Sequence, residues 1–141
     1  ILFMNILFLC VGNSARSQMA EGIAKTIFGK NHNIKSAGSN PAGTVHKYAI
    51  WAMDEIDIDI SNQSSKSIDD LENSFLENLD FVITLCSEEI CPALQNDAKK
   101  IHWMNEDPAN DKFSDVQSKR AFLKARNNIF NLIKKFFIEN V

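Results

Sequence analysis

Cys10 and Arg16 stand six positions apart in the stretch FLCVGNSARSQMAEG, residues 8–22, with mostly small and polar residues between them. A loop of this kind, joining a buried strand to the first turn of a helix, points successive backbone N–H groups into one concavity. The residues concerned are Gly12, Asn13, Ser14, Ala15, Arg16 and Ser17. The helix dipole makes such a concavity attractive to an anion, and a tetrahedral oxyanion fits it. Gly12 is expected to permit unusual backbone angles, Asn13 and Ser14 to tolerate tight turns and pin the loop, and the planar fork of Arg16 to take two oxygens at once. The field that draws the anion also favours a thiolate at Cys10, which makes it a nucleophile aimed at the bound ligand. A nucleotide-binding loop would end in Gly-Lys-Ser or Gly-Lys-Thr; this one does not, so ATP or GTP is a poor fit. Taken alone, Cys10 reads equally well as a small hydrophobe closing a core strand. The strand, glycine, arginine and helix together favour the nucleophile.

The elements that must position this loop follow from the apolar pattern. Residues 5–9, NILFL, form the continuous apolar run of a buried parallel strand. From Ser17 onward Met19, Ala20, Ile23, Ala24, Ile27 and Phe28 recur at helical spacing, with Gly29 as the stop. NIKSAG at 33–38 predicts a second short strand, NPAGT at 40–44 a turn cluster, and Ala49, Ile50, Ala52, Met53 and Ile56 a helix. A weaker helix is expected around 68–78, a strongly apolar strand over 79–86 (LDFVITLC), and a brief last strand over 99–103 (KKIHW). The loop MNEDPAND then leads to a long helix over 114–138. Strands alternating with helices predict an α/β fold, a parallel sheet covered on both faces with right-handed crossovers. Ligands of such sheets bind beyond the carboxyl ends of the strands, so Cys10 and Cys86, each ending a strand, are expected on the same edge.

The 141 residues, 45% of them hydrophobic, suffice for one core and not for two, so residues 1–141 are expected to form a single domain. The formal charge is -3 and neither sign forms a block, which argues against a nucleic-acid partner. Three cysteines is an odd number, and there is no basic leader, no cleavage site and no apolar run that would span a bilayer. A cytosolic protein with reduced thiols and no membrane partner is expected. The opening Ile1-Leu2-Phe3 carries no functional weight. His32, His46 and His102 are dispersed without ligand spacing, so neither a zinc site nor another cofactor is expected. Trp51 and Trp103 read as packing residues, and the C-terminal IKKFFIEN as a cover helix rather than a membrane-surface one.

LCVGNSARSQMAEG resembles the thioredoxin-coupled arsenate reductases built on the low-molecular-weight protein tyrosine phosphatase fold. The resemblance continues through SAG at 36–38, DIDISNQSSKSID, DFVITLC, Cys91-Pro92 and HWMNEDPA, nearly the whole chain. It implies a four-stranded parallel sheet flanked by helices, with Cys10 as nucleophile, Arg16 as oxyanion clamp and Asp107 as general acid. It also implies arsenate as substrate, phosphate or sulfate as its mimic, and thioredoxin as reductant. The implied order is attack of Cys10 on arsenate, attack of Cys86 on Cys10 to release arsenite, and capture of Cys86 by Cys91.

Phosphotyrosine hydrolysis would share the first attack by Cys10 and differ in the fate of the covalent adduct. Reducing arsenate takes two electrons, which thiols supply by making disulfides, and Cys86 and Cys91 fit that need. A low-molecular-weight phosphatase acting on phosphotyrosine or aryl phosphates, the alternative, needs only Cys10, Arg16 and Asp107. A non-catalytic oxyanion sensor that has kept the loop is a third possibility. On a regular helix residues five apart are separated by roughly 8 to 9 Å between Cα atoms, beyond the ~7 Å limit for a disulfide, so CSEEIC is expected to unwind or loop out on oxidation. The plainer reading has Cys86 ending a core strand and Cys91 packing locally. Pro108 stiffens the loop that aims Asp107, which suits an acid that protonates a departing oxygen, although an ordinary Asp-Pro turn has the same residues. In the phosphatases of this fold an aromatic usually follows Asp-Pro; here Ala109 leaves that wall open, which suits a small inorganic anion.

Asn13, Glu21 and Ser36 match positions that surround a potassium ion in some arsenate reductases. A further acidic ligand is expected in SSKS, where this chain has Lys66. Its ammonium is expected to replace the ion as a fixed positive charge. Otherwise Glu21 is a solvated helix residue and Lys66 a surface lysine.

Overall fold

The computed structural model describes residues 3–87, 94 and 96–141. In chain order the elements are β1 (Asn5–Cys10), α1 (Arg16–Phe28), β2 (Asn33–Gly38), α2 (Lys47–Asp54), α3 (Asn73–Glu77), β3 (Phe81–Thr84), β4 (Lys99–His102) and α4 (Asp115–Asn140). The strands form one parallel sheet in the order β2-β1-β3-β4. Leu9 lies opposite Ala37 on one side and Thr84 on the other, and Ile83 lies opposite Ile101.

Alternation along β1 divides the core in two. Ile6 and Phe8 face a large cluster built with Met19, Ile23 and Met53, closed by Phe122, Ile129, Ile133 and Phe136 of α4. Leu7 and Leu9 face the opposite way, toward Leu71, Phe75, Leu79 and Val82. Both faces are therefore covered, one by α1, α2 and α4 and the other by the segment around α3. Gly22 permits the close packing of α1: a Cβ there would fall 2.5 Å from Ile60 Cγ2 and 3.2 Å from Met53 Cε. Ser114 begins α4 with a reciprocal cap, its hydroxyl accepting from Gln117 N–H while Gln117 accepts from Ser114 N–H.

Two elements differ from the sequence expectation. The apolar run 79–86 is strand only over Phe81–Thr84, although Leu85 and Cys86 remain fully buried. Leu85 still donates its N–H to Leu9 O of β1 at 2.9 Å, one bond past the strand, and burial accounts for the apolar character of both residues. The helix expected around 68–78 is a 3-10 turn at Ile68–Asp70 followed by the short α3. Ser67 and Asp70 cap the turn reciprocally, and Leu71 is extended between the two pieces, which lets Leu71 and Phe75 both reach the sheet. β4, at the margin of the sheet, exposes Lys99 and Lys100. Among the described residues no helix is long and apolar enough to cross a membrane.

Candidate active site

The five residues between β1 and α1 turn at the carboxyl end of the sheet. Ala15 is the N-cap of α1 and supplies no side-chain cap, and the first turn has no acidic residue. By contrast His46 caps α2 and Ser114 caps α4. A helix start of this kind presents N–H groups that no side-chain cap engages, which suits an anion. The left-handed residue of the loop is Asn13, with φ 44°, and not Gly12. Asparagine adopts that conformation when its short amide is anchored locally, and here it is anchored on every side. A Cβ at Gly12 would meet nothing within 4 Å. The expectation that Gly12 supplies the unusual angle is thus corrected.

Asn13 is the hub. Its Nδ2 donates to Ser17 Oγ at 2.8 Å and to Ser36 Oγ at 2.9 Å, while its Oδ1 accepts from Gln18 Nε2 and Lys66 N–H, each at 2.9 Å. Cys10, 2% exposed, accepts the Asn13 N–H on Sγ at 3.2 Å and lies 2.8 Å from Ser17 Oγ. Because Ser17 Oγ accepts from Asn13, its own hydrogen is available to the sulfur. Ser36 in turn donates to Glu21 Oε1 at 2.6 Å. In the chain Glu21–Ser36–Asn13–Ser17–Cys10 the donors run outward from the Asn13 amide, through Ser36 to the Glu21 carboxylate on one side and through Ser17 toward the Cys10 sulfur on the other.

Glu21 ends this chain between two ammonium groups, Lys25 Nζ at 2.7 Å and Lys66 Nζ at 3.4 Å. Burial opposes its ionisation, but the Lys25 hydrogen bond, the Lys66 charge and the Ser36 hydroxyl outweigh it and hold the carboxyl below the ordinary glutamate range. Asn13, Glu21, Ser36 and Lys66 are thus brought together. The Lys66 and Lys25 ammonium groups both stand on the Glu21 carboxylate, where the resemblance places a potassium ion.

Arg16 is 4% exposed. Its Nη1 donates to Asn105 O at 2.9 Å and Leu85 O at 3.4 Å, and its Nη2 lies 3.8 Å from Asp107 Oδ2. Asp107 is half exposed and accepts the Ala109 N–H on its other oxygen at 3.0 Å, so Oδ2 is the oxygen turned to Arg16. Cys86 lies two residues beyond β3, the strand paired with β1, and is disulfide-bonded, whereas the Cys10 thiol is free. Cys91 and the residues 88–90 before it lie outside the described residues, as does the expectation that CSEEIC unwinds.

Several supports have no signal in the local sequence. Gln18, fully buried, donates to Asn13 O, Asn13 Oδ1 and Ser64 O, and accepts from Gln63 Nε2. Ser65 Oγ donates to Gly12 O, and Ser14 Oγ to Thr44 O. Gly38 allows β2 to press on the loop: a Cβ there would be 2.3 Å from Val11 O and 3.0 Å from Asn13 N. The remaining histidines and tryptophans pack elsewhere. His32 Nδ1 accepts from Met4 N–H, His102 pairs with Thr84, and Trp51 and Trp103 lean on the core. No group of three or more metal-capable side chains occurs among the described residues.

A buried cysteine under an uncapped helix start, with an arginine beside it, is the centre of a fold that has known relatives. The chain belongs to the low molecular weight phosphotyrosine protein phosphatase family, whose model matches residues 5–130. Within that family it is 47% identical over 129 residues to Arsenate reductase 1 of Staphylococcus saprophyticus, covering 90% of this chain and 95% of that one. Among solved structures it aligns with an arsenate reductase in the phosphate binding state, with a TM-score of 0.80 and 30% identity over 99% of this chain and 100% of the other. A thioredoxin-dependent arsenate reductase from Corynebacterium glutamicum aligns with a TM-score of 0.69 and 25% identity, covering 98% of this chain and 64% of that one.

Proposed function

We propose that this chain is an arsenate reductase that works through Cys10, Cys86 and Cys91 and is recharged by thioredoxin in the cytosol. The observation that carries the reading is the 47% identity with an arsenate reductase over 90% of the chain. Support for the chemistry comes from the thiols: Cys10 is free, as a nucleophile must be, and Cys86 is disulfide-bonded one strand away, a redox-competent position.

Arsenate sits on the N–H groups of residues 12–17 with Arg16 against its oxygens. Cys10 attacks arsenic, and an oxygen leaves as water with the proton of Asp107, giving a sulfur–arsenic bond. Cys86 then attacks Cys10 Sγ. The disulfide forms, the sulfur–arsenic bond breaks, and its electron pair stays on arsenic, which departs as arsenite. Cys91 next attacks Cys86 Sγ and frees the Cys10 thiolate, and the dithiol of thioredoxin reduces the Cys86–Cys91 disulfide. The Glu21 chain holds Asn13 and Ser17 in position throughout, with Lys66 as its fixed cation, so added potassium leaves turnover essentially unchanged.

The test is arsenite release from the purified chain with thioredoxin, thioredoxin reductase and NADPH, set against glutathione with glutaredoxin. Turnover is expected with thioredoxin and is abolished in Cys86→Ser and Cys91→Ser. Turnover of aryl phosphates that is indifferent to both substitutions, with no arsenite released, would replace this reading with that of a phosphatase using Cys10, Arg16 and Asp107.

A further inference from the structure

His46 ends the segment that arches from β2 over the anion loop. Its backbone N–H donates to Ser14 O at 2.9 Å, inside that loop. Its Nδ1 accepts the Tyr48 N–H at 3.1 Å and so caps α2, while its ring lies 4.7 Å from that of Phe122 on α4 and 5.7 Å from that of Tyr48. Since Nδ1 is an acceptor, the neutral ring carries its proton on Nε2, and a second proton has only Nδ1 to occupy. Capping and protonation exclude one another.

The charges around the ring come from two elements. Burial, the largest influence, holds the imidazole below its ordinary range; Asp107 and Asp111 of the acid loop favour the cation and Lys47 of α2 opposes it. The anion loop meets His46 through the neutral Ser14 and α4 through the neutral Phe122, while the charged Asp115 of α4 is engaged with the Tyr48 hydroxyl and with Lys119.

We propose that neutral His46 is a positioning residue that ties the anion loop to α2 beside the acid loop, and that protonating it takes the pocket out of its working geometry. The added proton has two effects. The cap is lost, which loosens the first turn of α2 and with it the tie to Ser14. The imidazolium also competes with Arg16 for the Asp107 carboxylate, now 3.8 Å from Arg16 Nη2. The second effect rests on Asp107 serving as the acid of the proposed reaction; the first stands without it.

Tyr48 is the only tyrosine in the chain, so labelling with 15N-tyrosine gives one backbone amide signal, and that amide is the donor of the cap. In the full chain this signal is expected to titrate with one midpoint below the free-histidine value of about 6.5. In His46→Asn, whose amide caps a helix without titrating, it stays flat over that range. Affinity for inorganic phosphate is expected to fall with the same midpoint in the native chain, relative to His46→Asn. Turnover at neutral pH drops about fivefold in His46→Ala and is largely recovered in His46→Asn, with the acid limb of the profile moved to lower pH. A flat signal in the native chain, a titration that persists in His46→Asn, or an acid limb that does not move overturns the proposal. If arsenate is not turned over at all, the amide and phosphate titrations still decide it.

Discussion

Asn13 concentrates at one residue what the pocket needs from several: a left-handed turn, a backbone donor to Cys10 Sγ, and a side chain that fixes Ser17. Removing the last link isolates its contribution. Ser17→Ala is expected to lower kcat/KM for arsenate about tenfold or more, the effect of losing a hydrogen bond to a charged group, and to lower thermal stability as well, because the buried Asn13 Nδ2 loses one of its acceptors. Glu21 acts at the other end of the chain, and its effect appears in stability against pH. Its folded-state pKa lies below the ordinary 4.5, so the unfolded chain binds more protons between the two values. Its contribution is complete above 4.5 and is lost as pH falls through the folded-state value. Urea midpoints are therefore expected to fall below pH 4.5, and Glu21→Gln to flatten that fall. Cys10, Arg16 and the loop between them were legible because they lie in one short stretch of chain. Gln63 and Asn105 were not, because Gln63 meets Gln18 across 45 residues and Asn105 meets Arg16 across 89, and only the folded chain brings them together.

At the scale of elements, the carboxyl ends of β1 and β2 are held so close that only a hydrogen can stand at position 38. Gly38→Ala would set a methyl group 2.3 Å from Val11 O, a backbone atom that cannot rotate aside, so the loop itself must shift. Phosphate affinity is expected to fall by about tenfold or more, measured by calorimetry, because a displacement near ~1 Å misaligns the donors. Periodicity located the long elements: α4 buries Phe122, Ile129, Ile133 and Phe136 at helical spacing, whereas α1 buries every residue from Arg16 to Ala24, the polar ones being those that serve the loop. It failed at β3 and α3. Leu85 and Cys86 look like strand because they are apolar, yet the strand ends at Thr84 with a single further bond from Leu85 N–H to Leu9 O; around 68–78 the reciprocal cap of Ser67 and Asp70 splits what the spacing joins.

For the molecule as a whole, the loop between β1 and α1 draws on β1, α1, β2 and the segment 63–67 at once, so an anion bound there is expected to stiffen the fold rather than one loop. Phosphate at about one hundred times its Kd is expected to raise unfolding free energy by about 2.7 kcal/mol. Cys10→Ser should keep most of that gain and Arg16→Met should lose it, a contrast that thermal denaturation with and without phosphate measures. The sheet was legible from strands alternating with helices, but its order was not, since β1 pairs with both β2 and β3 and only the parallel register fixes which ends meet. The two lysines of β4 have a consequence of their own. The outer side of a marginal strand is a template on which a second chain could add, and Lys99 and Lys100, projecting to opposite faces, set like charges against any copy that tried. Exchanging both for valine is therefore expected to invite fibrous self-assembly, which light scattering of the concentrated variant would report.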